Sequence, residues 1–294
     1  MKRKNIKISM LDVISVLFIT GTALYVIYRI NIGLNYKWNW GLIPQYLFRY
    51  DSQTEKLVPN LLMQGFFTTI RLSVWGTLLA MLIGMTMGLC RVSTSLFRRL
   101  ISGMYVEITR NMPPLVLIFI FYFFVSDQIL PIFGTEEFIR TRSLIIQDFF
   151  SFFFAPPILF SAFLSAVITL ALLEGAYVTE IIRAGIQSVE KGQWEASAAL
   201  GLSRGQQIYH IILPQALRTI LPPLTGQFIS TIKDSAVVSV ISVQELTFRG
   251  TELMAATGLT FEIWITVTVL YLILTLICSL SAERIEVYMR RSEI

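Results

Sequence analysis

Charged and polar side chains interrupt several long apolar runs of this sequence, and their spacing is the first pointer to chemistry. Glu107 and Arg110 stand three residues apart, and Lys233-Asp234 is an adjacent pair. A further row repeats every three residues, with the members Glu174, Tyr177, Glu180 and Arg183. Residues three apart share a helix face, and a charge at membrane depth costs about 2.5–3.5 kcal/mol on insertion scales. The spacing therefore predicts either ion pairs between helices or the lining of a polar cavity.

The residue types needed for enzyme chemistry are missing from the pattern. His210 is the single histidine and cannot form a metal site alone. No nucleophile is matched with a base. The sequence has no Gly-Lys dipeptide, and therefore none of the glycine-rich phosphate loops that end in Gly-Lys. We expect this chain to have no catalytic residues and to hold neither a metal nor a nucleotide by itself.

The elements that carry these charges are predicted to be membrane helices. Apolar residues make up 54% of the 294 and charged residues only 15%, whereas a soluble domain has about 25% charged residues. The net charge of +5 comes from basic residues dispersed among apolar runs, which argues against a nucleic-acid partner. We predict an all-α polytopic membrane protein. Its six spans are predicted at residues 9–30, 61–90, 100–125, 158–184, 221–243 and 261–281.

Prolines mark the expected ends and breaks of these spans. The run Asn111-Met112-Pro113-Pro114 is expected to bend or break the third span. Pro156-Pro157 and Pro222-Pro223 each precede a predicted span, where a missing N–H costs nothing. The first apolar stretch is too long for the core of a signal peptide, so we interpret it as a retained helix.

The connecting segments predict the orientation of the chain. With the N-terminus inside, the inner segments hold more lysine and arginine than the outer ones. Four of the inner residues precede the first span, namely Lys2, Arg3, Lys4 and Lys7. An even number of spans returns the C-terminus to the same side. We therefore expect both termini to be cytoplasmic.

The longest inner segment, residues 185–220, is predicted to be helical rather than a plain linker. Its alanine-rich first half favours a helix, and Gly201 is a plausible C-cap. Ser203 could cap a second helix that runs through Gln206 to Leu213, where Pro214 is expected to interrupt it. Two short helices joined at a glycine would form a knob that could dock into a groove of a cytosolic partner.

A family resemblance becomes specific in this loop. Glu195-Ala196-Ser197, then Gly201, then Ile211-Ile212-Leu213-Pro214, resembles the EAA signature of ABC importer permeases. The flanking sequence resembles the polar amino-acid branch, the histidine/glutamine/glutamate permease family, at Glu180-Ile181-Ile182-Arg183, Gly185-Ile186-Gln187-Ser188-Val189, Leu221-Pro222-Pro223, Ile232-Lys233-Asp234 and Val240-Ile241-Ser242-Val243-Gln244-Glu245-Leu246. The resemblance covers roughly residues 60–283. Ser197 stands where the signature usually has a second alanine, a small-for-small change.

The resemblance implies a division of labour among several proteins. It implies a type I ABC importer permease fold in the cell inner membrane, with a cytoplasmic coupling helix. Two permease subunits, either two copies of this chain or this chain and a related one, would form the pathway. Cytosolic ABC ATPase subunits would bind the ATP, and a periplasmic or lipid-anchored binding protein would deliver a polar amino acid. The chain itself would need no cofactor.

The resemblance also implies roles for residues of the loop. Glu195 would face the ATPase or fix the loop, and Ala196 and Gly201 would permit close approach. Leu213-Pro214 would set the angle at which the chain returns to the membrane. Three regions follow: 1–58 with an extra first helix and a periplasmic segment, 59–283 as the transmembrane domain with its coupling loop at 185–220, and 284–294 as a cytoplasmic tail.

The charged residues predicted to lie within the membrane have two possible interpretations. Glu107 with Arg110, and Glu180 with Arg183, could be structural ion pairs or part of the pathway. Glu174 has no obvious local cation, so we expect it to line a cavity. There it could act with Lys233 or Arg110 to hold the two charges of a zwitterionic amino acid. Lys233-Asp234 could equally have a gating or a structural role.

Two rival interpretations remain open at this stage. A secondary transporter or channel for small polar solutes would need coupling charges or a selectivity filter, and often shows an internal repeat, which we do not find. The loop could also be a surface amphipathic helix with no partner. Dependence of uptake on ATP rather than on an ion gradient would separate the transporter classes.

Overall fold

The computed structural model of the chain describes residues 10–33, 36–52, 55–133 and 141–291. The four basic residues expected before the first span, Lys2, Arg3, Lys4 and Lys7, lie outside these ranges, as do residues 292–294 of the predicted tail. The described helices are α1 Met10–Gly33, α2 Ile43–Leu47, α3 Leu61–Arg91, α4 Leu96–Asn111, α5 Pro114–Phe124, α6 Leu130–Phe133, α7 Leu144–Phe153, α8 Phe160–Gln187, α9 Lys191–Ala199, α10 Arg204–Gln206, α11 Leu213–Asp234, α12 Leu246–Thr257 and α13 Thr260–Arg291.

The chain forms two compact units, Met1–Trp40 and Gly41–Ile294. Residues 41–60 belong to the larger unit. Ile43 of α2 is buried in one apolar cluster with Leu62 and Leu246. A small antiparallel hairpin, β1 Phe48–Asp51 and β2 Lys56–Pro59, pairs Phe48 with Pro59 and leads into α3. It departs from the all-α prediction.

Three described helices are long and apolar enough to cross a membrane: 61–91, 157–187 and 260–284. The pair α4 and α5 counts as a fourth span if it is taken as one broken helix, bent by 118°. This bend confirms the break expected at Pro113-Pro114, since α4 ends at Asn111 and α5 begins at Pro114. The other two predicted spans are not among the helices that are long and apolar enough to cross a membrane. Helix α1 contains only the shorter apolar stretch Met10–Thr22, and α11 does not combine sufficient length with sufficient hydropathy.

The centre of the larger unit is the packing of α3 against α8. A Cβ atom on Gly84 would lie 2.4 Å from Cγ1 of Val178, and one on Gly88 would lie 2.7 Å from Cγ2 of Ile182. Small residues let membrane helices approach this closely, which strengthens van der Waals packing where no hydrophobic effect operates between helices. Glycine at these two positions therefore fixes the spacing of the helix pair that carries Glu174 and Glu180.

Pro222 and Pro223 lie inside α11 rather than at a helix start, which corrects the prediction for this pair. The α-helical geometry begins at Leu213, with Pro214 in its first turn. A π-helical segment, Gln207–Ile212, comes directly before it. Because Pro214 cannot donate to the carbonyl four residues earlier, the wider turn is a natural local accommodation.

A buried polar cluster joins α3, α12 and α13. Glu245 is the N-cap of α12, is fully buried, and accepts hydrogen bonds from the backbone N–H groups of Thr247 (2.9 Å) and Phe248 (2.7 Å). Its carboxylate also accepts from the hydroxyls of Tyr271 (2.7 Å) and Thr69 (3.3 Å). Burial raises the pKa of the Glu245 carboxyl, and these four donors oppose that rise. We call these five residues the Glu245 network.

Candidate functional site: the 185–220 loop and the neighbouring cavity

The first half of the loop is the short helix α9, which ends as the sequence predicts. The backbone N–H of Leu200 donates to the Ala196 carbonyl (3.1 Å), and that of Gly201 donates to Ala198 (2.9 Å). Gly201 has a φ of +76°, and a Cβ there would meet nothing within 4 Å. The glycine is therefore required by the left-handed conformation of the helix end, and not by crowding inside this chain.

The second half begins at Ser203 with a capping box. The Ser203 side chain caps the first turn, and the side chain of Gln206 accepts from the Ser203 N–H at 2.9 Å. The chain then runs through α10 and the π-helical segment into α11 without a break. The predicted interruption at Pro214 is therefore wrong, since the turn widens before Pro214 and the helix continues.

A few specific contacts hold the loop together. The guanidinium of Arg204 lies 4.0 Å from the centre of the Trp194 ring, which ties α10 to α9. Gln215 of α11 donates to the Gln193 side chain at 3.3 Å. Ser197 is only 2% exposed, and its hydroxyl donates to the Trp194 carbonyl at 2.9 Å. The serine that departs from the signature therefore fits as a buried small residue with its polar atom satisfied.

The outer surface of the loop carries most of the predicted coupling residues. Glu195, Ala196, Gly201 and Pro214 are exposed, whereas Leu213 is half-buried. Leu200, at the tip beside Gly201, is 78% exposed. Leu200 is not among the predicted coupling residues, although an apolar residue directly before a predicted helix cap is a signal that could have identified it. Leu200 and Glu195 are therefore both accessible on the outer surface of the loop.

Three of the predicted pathway residues surround one cavity of about 600 Å³. Arg110, Tyr177 and Glu180 line it, and Gln227 of α11 lies on its wall. The Arg110 guanidinium lies over the Tyr177 ring, 5.4 Å from its centre. The cavity thus presents a cation, a carboxylate, an amide and an aromatic face to the same space, which suits a small polar ligand.

The ion pairs differ in part from those expected. Glu180 pairs with Arg183 at 2.7 Å, as its spacing predicts, and also with Arg91 at 3.4 Å. Glu107 does not pair with Arg110, and its partner is again Arg91, at 3.7 Å. The Arg110 guanidinium is directed instead to the Tyr177 ring. Arg91, at the end of α3, was missed because only the folded chain brings it to both carboxylates.

Glu174 is 1% exposed and does not line the cavity. Its carboxylate accepts hydrogen bonds from the Gln227 amide and from the Thr231 hydroxyl (3.3 Å), and Gln227 separates it from the cavity. Asp234 interacts with Glu174, while Lys233 is exposed at the C-terminal end of α11. Lys233-Asp234 therefore lies at the C-terminal end of α11 and not at the centre of a span.

Comparison with known proteins decides the family. The model of the binding-protein-dependent transport system inner membrane component matches residues 76–291. This chain belongs to that family. The permease is 44% identical over 155 residues to the glutamine transport system permease protein GlnP of Escherichia coli strain K12, which covers 51% of this chain and 70% of GlnP. It is 29% identical over 233 residues to the probable glutamine ABC transporter permease protein GlnM of Bacillus subtilis strain 168, covering 79% of this chain and 95% of GlnM.

Solved structures agree with this assignment. An amino acid ABC transporter crystallised with histidines is 30% identical to the permease, with a TM-score of 0.59, and the match covers 77% of this chain and 92% of that one. The inward-facing MetNI methionine ABC transporter shows the same fold at 20% identity, with a TM-score of 0.56. The predicted resemblance to ABC importer permeases, the predicted fold class and the inner-membrane assignment are therefore confirmed.

Proposed function

We propose that this permease moves a polar amino acid of the glutamine class across the inner membrane, driven by ATP bound to separate cytosolic subunits. The observation that carries the proposal is the exposed α9–Gly201–α10 knob, which has the EAA spacing and lies within the region matched by the family. The similarity to GlnP and GlnM supports glutamine as the class of substrate. The sequence has no phosphate loop of its own.

The knob would transmit ATPase closure to the membrane helices. Glu195 and Leu200 would contact the ATPase, because both are exposed on one short helix and its end. Ala196 and Gly201 present little side chain, which would let the partner approach closely. Ser197 would hold the inner face of α9 in place. Leu213 and Pro214 would carry the movement into α11, since the chain is helical from Arg204 to Asp234.

The cavity beside α8 would be the substrate site of the pathway. Arg110 can bind a carboxylate, and Glu180 can bind an ammonium group, while Tyr177 supplies an aromatic wall. Glu174 would act through Gln227 by fixing the orientation of that amide. Lys233 and Asp234 would gate the pathway at the end of α11, and Glu107 would act by holding Arg91. Arg91 also contacts Glu180.

The proposed assembly follows the family pattern. Two permease subunits would lie between cytosolic ATPases and an external amino-acid-binding protein, with both termini of this chain cytoplasmic. Residues 1–58 would supply an additional membrane anchor and external segment, 59–283 the transmembrane domain, and 284–294 a tail. The excess of basic residues in the inner segments supports this orientation.

Uptake in proteoliposomes tests the proposal. The chain is reconstituted with its ATPase and binding protein, and uptake of radiolabelled glutamine is measured with and without ATP. We expect uptake to require ATP and to persist when ionophores collapse proton and sodium gradients. Uptake that continues without ATP and disappears with the ionophores would instead identify a secondary transporter.

The Glu174→Gln variant examines the substrate site separately. Because Gln227 would lose its carboxylate acceptor, we expect a reduced apparent affinity for glutamine or a changed selectivity among amino acids. Glu252→Gln is the matched control, since Glu252 is 46% exposed and pairs only with Arg249 among the described residues. Unchanged affinity and selectivity in Glu174→Gln would remove Glu174 from the pathway.

A further inference from the structure

A strongly basic cavity of about 640 Å³ lies between the coupling loop and the ends of three membrane helices. Its walls come from the end of α3, the start of α4, the end of α8, and α9 with α10. The charged side chains that line it are Arg91, Arg99, Arg183, Lys191, Arg204 and Glu195. This cavity is separate from the proposed substrate cavity, although Arg183 borders both.

Three of the five cations have partners in the fold. Arg91 and Arg183 bind the Glu180 carboxylate, and Arg204 stacks on Trp194. Arg99 and Lys191 are exposed, and no carboxylate of the described residues lies within ion-pair distance of either. The cavity therefore keeps an excess of positive charge that the described residues do not neutralise.

The backbone is shaped to bring these cations together. A Cβ on Gly103 would lie 2.5 Å from a terminal nitrogen of Arg91, so the absence of a side chain there admits the guanidinium against α4. Ser102, next to Gly103, donates to the Met87 carbonyl at 2.7 Å and fixes α4 against α3. Arg99 lies one turn earlier on α4, at the cavity wall.

An exposed apolar row on α4 leads away from the cavity. Leu96, Leu100 and Met104 are spaced by four residues, and each is at least 60% exposed. In a bilayer such a row contacts acyl chains, and Leu96 lies one turn from Arg99 on the same helix. The basic cavity and the apolar row together match an amphiphile with an anionic head and acyl tails.

We propose that this cavity binds the phosphate group of an anionic phospholipid, with the acyl chains along Leu96, Leu100 and Met104. Guanidinium groups bind phosphate in a charge-assisted, bidentate way, and basic pockets between membrane helices select anionic headgroups. A zwitterionic lipid would bring its own cation toward Arg99 and Lys191, so it fits less well. Since Lys191 belongs to α9, the bound lipid would brace the coupling loop. The proposal does not depend on the transport function.

The test measures which lipid stays with the purified protein. The chain is incorporated into nanodiscs of equal phosphatidylglycerol and phosphatidylcholine, extracted, washed in detergent, and its retained lipids are quantified by mass spectrometry. We expect wild type to retain about one phosphatidylglycerol per chain in preference to phosphatidylcholine. The double variant Arg99→Gln/Lys191→Gln should retain about tenfold less.

A matched control removes two charges elsewhere. Arg98→Gln/Lys56→Gln neutralises two exposed cations that do not line the cavity, one of them next to Arg99. We expect this variant to retain phosphatidylglycerol like wild type. Equal losses in both double variants, or equal retention of the two lipids by wild type, would overturn the proposal. Displacement of phosphatidylglycerol by millimolar inorganic phosphate would also overturn it, because the site would then accept a free anion.

Discussion

The coupling loop, residues 185–220, contains exposed polar side chains, whereas the Glu245 network buries its polar groups. Glu245 is fully buried, and four donors from three helices or their ends saturate its carboxylate. Glu195 in the loop is exposed, and Leu200 at the end of α9 is 78% exposed. Only a few contacts, such as the stacking of Arg204 on Trp194, hold the loop's shape. The network is complete within the chain, whereas the loop presents a surface that the described residues leave uncovered.

This difference predicts which substitutions should change the stability of the protein and which should change its function. A buried carboxylate with satisfied donors contributes to folding, because removing it strands those donors away from water. An exposed carboxylate and an exposed leucine contribute little to folding. Substitutions in the network should therefore change stability, and substitutions in the loop should change partner binding and uptake.

Glu245→Ala should have the largest effect on stability. It removes the N-cap of α12 and leaves the hydroxyls of Thr69 and Tyr271 without their acceptor, so we expect a loss of about 2–4 kcal/mol. Thermal unfolding in detergent, followed by circular dichroism, measures it. Glu252→Gln, an exposed acid on the same helix, should change stability by no more than about 0.5 kcal/mol. Equal losses of stability in the two variants would contradict the structural role assigned to the Glu245 network.

Leu200→Asp should have the next largest effect, on uptake rather than on folding. We expect ATP-dependent uptake to fall at least about tenfold, as for an interface anchor, and unfolding to change by less than about 0.5 kcal/mol. Leu200→Met keeps an apolar tip and should transport nearly as wild type. A stable Leu200→Asp protein with full uptake would mean that the tip contacts no partner.

Gly201→Ala should strain the loop locally. Its φ of +76° costs an alanine about 1 kcal/mol, so amide hydrogen exchange over residues 191–206 should become faster. Gly205→Ala should have the opposite effect. Gly205 lies in α10 with open space around it, so alanine should favour the helix and slow amide exchange slightly. The same change in both variants would show that Gly201 is not fixed by its backbone conformation.

Ser197→Ala should have the smallest effect. The hydroxyl only donates to the carbonyl three residues earlier, and alanine is the residue that the signature usually has there. We expect stability and uptake within about 0.5 kcal/mol of wild type. Ser197→Leu is the contrasting variant, because the 2% exposure leaves no room for a larger side chain. A large loss in Ser197→Ala would give the hydroxyl a role that its observed contact does not explain.

Local signals predicted the ends of helices well, and long-range contacts were not predictable. Gly201 and Ser203 mark the loop helices as expected, because caps depend on one residue and its neighbours. The break after Asn111 follows from Pro113-Pro114 in the same way. Pro222-Pro223 gave the wrong helix start, since a membrane helix can continue through proline when neighbouring groups satisfy the freed carbonyls.

Partners distant in sequence were missed at the candidate site. Arg91 reaches Glu107 and Glu180 from another helix, and Gln227 reaches Glu174 across 53 residues of sequence. Spacing along one helix suggested Arg110 for Glu107, because it shows only neighbours on the same element. The Glu245 network was hidden for the same reason.

Copurification of the tagged chain from its native membrane, with mass spectrometry of the recovered proteins, tests the central claim most directly. Wild type, Glu195→Arg and Glu190→Arg are compared, because Glu190 is exposed in the same loop and its side chain makes no capping hydrogen bond. We predict that an ATPase with a phosphate loop is recovered with wild type and with Glu190→Arg and is lost from Glu195→Arg. Recovery of no ATPase with any folded variant, or equal recovery with all three, would contradict the coupling role of the loop.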